Sequence, residues 1–268
     1  MQLWTKEHAI TLLPTFAVMI VIAIILALTL GKKKEKYRMI PIKIIAVVLV
    51  IIEIIKQVQS IMKGYNLYFI PLHFCSLFIF FLPLFAFYNG KFKEHIKSFT
   101  FTACAMMSIF ILVYPDLIYG ASDITTMGTR FLSFHTVVFH NLVLFAFILM
   151  IALKLYNINT KRDIISLLIG FSIFCSISAP MAQILKTNFN NFFTCNIAPI
   201  QAFVDTIKNS IGYTLGQTIY VLIVCILDIV FAFISYGVLR IILKLRETKR
   251  IKKPTSYISI DETTNETK

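Results

Sequence analysis

Charged side chains are scarce in this sequence. They make up 15% of the 268 residues, while 58% are hydrophobic. A water-soluble domain carries about 25% charged residues and about 45–50% apolar ones. The shortage excludes a soluble enzyme and a disordered chain, and mean hydropathy (+0.81) agrees. Acidic residues are scarcer still, 13 against 26 Lys and Arg, for a net charge of +13. Nucleic-acid binding is not expected, because the cations sit in loops and tail and build no basic face. Cysteine is sparse too. Cys75, Cys104, Cys175, Cys195 and Cys225 form no CxxC pair, and four lie in apolar runs. That excludes a disulfide framework and a zinc ribbon. His73, Cys75, Asp116 and His140 are of metal-ligating type, but no helical H-x3-H pair is present; neither a metal nor a cofactor is expected. An A-x-A-like cleavage site is also missing behind Glu7 and His8, so the first apolar run reads as a retained span.

What is present is length of apolar run. A crossing helix needs about 20 mostly apolar residues. Seven runs qualify, roughly 9–30, 39–62, 67–88, 96–119, 131–154, 163–186 and 213–240. The expectation is an all-α polytopic transmembrane bundle of about seven spans. It forms a single domain over 1–245, followed by a basic and then polar tail over 246–268, disordered from Pro254 onward. Cations alternate between loops. Lys32, Lys33, Lys34, Lys36 and Arg38 follow the first run. Lys91, Lys93 and Lys97 follow the third, Lys161 and Arg162 the fifth, and Lys244 to Lys253 the last. The positive-inside rule then puts the N-terminus outside and the C-terminus in the cytoplasm. The outer segment Thr187–Gly212, too polar to span, reads as an ordinary surface loop, with a lid-like segment as the alternative.

Ionisable groups inside a bilayer are costly and usually face a cavity or one another. At about 1.5 Å per helical residue, Glu53 lies about 13 Å from the outer end of its span. His73 and Cys75 fall about 9–12 Å deep, and His135 and His140 about 6 and 14 Å. Asp116 and His8 sit at outer helix ends. The expected site therefore lies in the outer half of the membrane, with almost nothing ionisable in the inner half beyond Asp228. Each residue has a plainer role open to it. Glu53 and Lys56 stand at i, i+3 and fit an intrahelical ion pair. Asp116 after Pro115 fits a helix-end cap, and His135 fits a simple hydrogen-bonding residue. On a regular helix His73 and Cys75 point about 200° apart. Cys75 with His140, on a facing helix, is the freer pair for activating a thiol. Asp116 or Glu53 is then the group that orients the histidine.

Pro71-Leu72-His73-Phe74-Cys75-Ser76-Leu77 resembles a segment of the YwaF-like integral membrane proteins of Gram-positive bacteria. His8, Val113-Tyr114-Pro115-Asp116, and Phe134-His135 through Phe139-His140-Asn141 fit the same family in the same order, over roughly residues 1–150. Past about residue 160 only Asn188-Phe189-Asn190-Asn191-Phe192-Phe193 echoes it. That family is similar to the animal membrane acyltransferases that remodel ether phospholipids. The resemblance implies acyl transfer or hydrolysis on membrane lipids, in a multi-pass bacterial plasma-membrane protein. Cys75 is then the nucleophile, His140 the base, His73 a polariser and Asp116 the orienter. Glu53, His135 and His8 support them, and acyl chains enter between the Phe-rich third and fourth spans. The alternative is a proton-coupled small-solute transporter built on the same Glu and His groups.

Overall fold

The computed structural model describes residues 4–251 (backbone alone at 121 and 245–251), and every regular element in it is helical. These are α1 (Lys6–Leu30), α2 (Glu35–Arg38), α3 (Ile40–Met62), α4 (Leu77–Phe87), α5 (Lys93–Val113), α6 (Ala121–Thr126), α7 (Phe131–Ala152), α8 (Thr160–Ile184), α9 (Ala198–Ile211) and α10 (Tyr213–Ile251). Five of them, α1, α5, α7, α8 and α10, are long and apolar enough to cross a membrane. α3 is 23 residues long but carries Lys43, Glu53 and Lys56. The expected division into a domain and a tail falls within α10, which continues to Ile251; the segment from Pro254 onward lies outside the described residues.

The long helices alternate in direction, as their end contacts show. At the upper end, defined by the start of α1, His8 Nε2 donates to the carbonyl of Tyr119, just past α5 (2.9 Å). At the lower end, Arg38 Nη1 donates to the carbonyls of Leu153 (2.7 Å) and Lys154 (3.2 Å). Those are orphan acceptors at the C-terminus of α7, where a cation also suits the helix dipole. Thr5 caps α1. Its hydroxyl accepts from the His8 amide, and His8 Nδ1 accepts from the Thr5 amide. Asn159 caps α8 by accepting from the Arg162 amide (3.2 Å).

The third apolar run is not a continuous helix, contrary to the expectation over 67–88. Only 77–87 is α-helical, preceded by two single 3₁₀ turns at 67–69 and 74–76. Pro71 has no N–H, and it bars the residue before it from helical dihedrals. Ile70 accordingly has ψ 133, and His73 is extended at φ −80, ψ 155. Eleven residues give α4 a length of about 17 Å, little more than half the hydrocarbon core of about 30 Å. The irregular stretch above it enters the bundle. Gln57 Nε2 on α3 satisfies the Phe69 carbonyl (2.7 Å), as a backbone group at membrane depth requires.

The segment after α8 also enters the bundle, which overturns its reading as a surface loop. Phe189 and Phe192 are 0% exposed. Phe189 stands edge-on to His73 (5.3 Å between ring centroids), and Phe192 lies against Phe174 (6.0 Å). Asn190 and Asn191 adopt left-handed dihedrals (φ 49 and 61), which asparagine tolerates better than most residues. Their partners are on α10. Asn190 Nδ2 donates to Asp228 (2.6 Å), and Tyr220 donates to the Asn191 carbonyl (2.5 Å). The rest of the expected loop is α9. Ile200, Phe203, Val204, Ile207 and Ile211 recur along it at helical spacing, so one face is apolar.

The lower half is not free of buried ionisable groups either. Asp163 at the start of α8 is 0% exposed and gathers three helices. It accepts from Ser98 on α5 (2.8 Å), from the Asn159 amide (2.9 Å), from Tyr236 on α10 (3.0 Å) and from Tyr156. Lys97, also buried, reaches down to Glu35 (2.8 Å). Both sit near helix ends, where hydropathy averaging merges them with the loop charge.

Candidate functional site

A cavity of about 850 Å³ opens between α3, the α4 entry and α7 on one side and α9 and α10 on the other, floored by Met106, Met107 and Phe110 of α5. Five of the seven residues singled out from the sequence line it: Glu53, His73, Cys75, His135 and His140. Lys56, Ser76, Asp123 and Asp228 line it as well.

His140 is fixed by the backbone of its own helix. Its Nδ1 lies 2.7 Å from the Thr136 carbonyl, one turn back. A carbonyl only accepts, so Nδ1 carries the proton and the neutral ring keeps its lone pair on Nε2. The Tyr119 ring stands edge-on at 6.0 Å and Phe139 at 5.5 Å, so aromatic walls hold the imidazole plane. His73 is held differently. Its Nε2 donates to the Tyr68 carbonyl (3.1 Å), and its ring packs on Tyr68 (4.4 Å).

Cys75 does not lie on a regular helix beside His73, so the angle expected between them does not apply. His73 is the extended residue before the helix, and Cys75 is in the first turn of Phe74–Phe87. Ser76, the next residue, lines the cavity beside it. The first N–H groups of a helix have no partner above them and carry the positive end of its dipole. A thiolate, or an oxygen gaining negative charge beside it, meets a favourable field there.

Glu53 is taken up by three partners. It accepts from Lys56 (2.8 Å) and Gln57 (2.7 Å) on α3, and from His135 Nε2 (3.0 Å) on α7. The intrahelical ion pair and the link between helices therefore coexist. Glu53 orients His135, which also stacks on Phe139 (5.4 Å), and not His140. The two remaining residues stand apart. Asp116, in a 3₁₀ turn after α5, is not part of the cavity wall. His8 is buried outside it with both ring nitrogens engaged, one by Thr5 and one by Tyr119. The fixing group for His140 is a main-chain carbonyl and not the carboxylate expected from the sequence. The expected entry between the third and fourth spans is closed. Phe81 packs on Phe99 (4.6 Å), and Phe78 and Phe85 are buried between α4 and neighbouring helices. Among the described residues no group of three or more His, Cys, Asp or Glu is arranged to hold a metal ion.

Comparison with known proteins places this arrangement in a family. The TMEM164 family model matches residues 3–235, nearly the whole chain, so the protein belongs to the TMEM164 family, a family of membrane proteins. No curated protein and no solved structure matches it.

Proposed function

We propose that this TMEM164-family membrane protein moves or releases an acyl chain of a membrane lipid through a thioester on Cys75, with His140 as general base. The observation that carries the reading is the His140–Thr136 hydrogen bond. It leaves Nε2 as the basic nitrogen of a residue that shares a cavity with a thiol at a helix start. In the first step His140 Nε2 takes the thiol proton and the sulfur attacks the ester carbonyl. The charge gathering on the carbonyl oxygen meets the N–H groups at the start of the helix. The C–O bond then breaks and the departing alcohol takes the proton from His140. In the second step an acceptor hydroxyl or water gives its proton to His140 and attacks the thioester, and the thiol returns. His73 and Ser76 polarise the same region, while Glu53, itself paired with Lys56, holds His135 in place. The resemblance to YwaF-like proteins supports the same reading, as it does a bacterial plasma-membrane location.

Transport is the weaker alternative, because the polar lining does not continue to the lower end. Below the cavity Phe81, Phe99 and Phe171 pack together, with ring centroids 4.6 and 5.6 Å apart. The test is purified protein in nanodiscs containing phospholipid with an isotope-labelled acyl chain, with and without a lysophospholipid acceptor, followed by mass spectrometry. Wild type is expected to move or release the label, and Cys75→Ser and His140→Ala to lose this. Loss in His140→Ala alone would remove Cys75 as nucleophile. No movement with any lipid mixture would overturn the enzyme reading.

A further inference from the structure

The cavity is only partly enclosed. α7 packs on α1, α3, α5 and α6, and α10 packs on α5, α8 and α9, but α7 and α10 do not pack extensively on each other. Between them the wall residues are Leu132 and Thr136 on α7 and Ile219, Ile223 and Leu227 on α10. The α10 residues recur at i, i+4 and i+8, a continuous aliphatic row. They are exposed, at 37%, 48% and 59%. In a helix that crosses a membrane, exposure of this kind is exposure to lipid. Position 226 on the same helix is 58% exposed yet lies off the cavity wall.

We infer that the gap between α7 and α10 is a lateral portal through which the acyl chain of a bilayer lipid lies, tail outward, while its ester enters the cavity. Three observations favour an acyl chain over another occupant. The row is purely aliphatic, so it offers no hydrogen bond to a polar solute. It runs straight into a wall bearing Cys75, His73 and His140. The α10 residues lining the cavity, from Gly216 to Asp228, span about 18 Å, comparable to the depth of one hydrocarbon leaflet of about 15 Å. A lipid can therefore slide sideways without lifting its tail through headgroups. A tail leaving bulk lipid for this gap gains no hydrophobic free energy, since both surroundings are apolar. The portal thus selects by width and not by affinity, and narrowing it is the informative perturbation.

The portal rests on the acyl-transfer reading, so the test separates the two. Ile223→Trp narrows the gap, and Ile226→Trp places the same bulk on the lipid-facing side off the wall. With bilayer phospholipid as donor, Ile223→Trp is expected to lose turnover about tenfold, as overpacking a fitted gap does, and Ile226→Trp to match wild type. With a water-soluble short-chain ester that needs no lateral path, the loss in Ile223→Trp is expected to be severalfold smaller than with phospholipid, because Ile223 also lines the cavity; an equal loss with both donors would place the effect in the cavity and overturn the portal. Equal turnover of bilayer phospholipid by the two tryptophan variants would overturn the portal and leave the acyl-transfer reading standing. If no ester is turned over at all, a phospholipid with a diazirine in its acyl chain still tests the portal. Position 226 meets bulk lipid and is labelled in any case, so the portal predicts that a saturated-chain phospholipid in excess competes away crosslinks at 219, 223 and 227 more steeply than at 226, and equal competition at all four positions would refute it.

Discussion

Removing Asp163 is a severe perturbation of the fold. The carboxylate is fully buried, and four good donors converge on it from Ser98, the Asn159 amide, Tyr156 and Tyr236. Each hydrogen bond to a charged group contributes about 1.5–3 kcal/mol, but bonds sharing one acceptor do not add. Breaking a buried charged cluster by deleting one member costs about 3–5 kcal/mol. Asp163→Ala is therefore expected to lose about 4 kcal/mol. At about 2–4 °C per kcal/mol for a chain of this size, the midpoint of thermal unfolding falls by about 10 °C. Tyr236→Phe removes one donor and leaves the carboxylate in place, so it is expected to fall by about 3 °C. The assay is the apparent midpoint in one detergent at a fixed heating rate, because unfolding of a membrane protein is operationally a rate. Acyl transfer well below the midpoint is expected to persist in both variants, since neither residue lines the cavity. A drop of less than about 2 °C for Asp163→Ala would refute the reading of this cluster as the clasp of the lower end.

Three further outcomes are expected. The hydrogen bond from Lys97 holds the Glu35 carboxyl below the usual carboxylate range, against the opposing effect of partial burial. The stabilisation is then fully present above the ordinary carboxylate pKa and is lost as pH falls through the depressed folded value. Midpoints measured from pH 7 down to pH 3 should fall more steeply in wild type than in Glu35→Gln, and parallel curves would count against it. Asp228→Ala removes the Asn190 contact, so maleimide should label the half-buried Cys195 severalfold faster than in wild type; unchanged labelling would mean that the bonds from Tyr220, Gln183 and Gln217 suffice to fasten the segment. A Cβ at Gly216 would stand 2.8 Å from the Lys208 Cα, where α9 crosses α10. Gly216→Ala should therefore destabilise by about 1–3 kcal/mol, read as a lower unfolding midpoint, and an unchanged midpoint would show that α9 shifts freely.

Six of the seven apolar runs coincide with helices to within a few residues at most ends, because length and hydropathy are what a bilayer selects. The exception is instructive. The run at 67–88 is apolar throughout, and averaging is blind to Pro71 and Asn66, which decide its local conformation. α9 was legible in principle, since Ile200, Phe203, Val204 and Ile207 have helical spacing, but its polar residues read as loop. At the site, depth alone brought Glu53, His73, Cys75, His135 and His140 to the same level, and the structure gathers them around one cavity. Depth does not report facing, and facing is what separates Asp116 and His8 from them. The contact that sets the His140 tautomer comes from a carbonyl, which every residue possesses and no sequence pattern marks.

The shortness of α4 has a consequence for the host membrane. A helix of about 17 Å cannot match a hydrocarbon slab of about 30 Å. Where the irregular stretch above it faces outward, lipids must tilt, shorten or let headgroups sink. Bilayer thickness thereby becomes a variable to which the local lipid packing responds. If Cys75 carries the proposed acyl transfer, thin membranes are expected to bring ester groups down toward it and thick ones to hold them away.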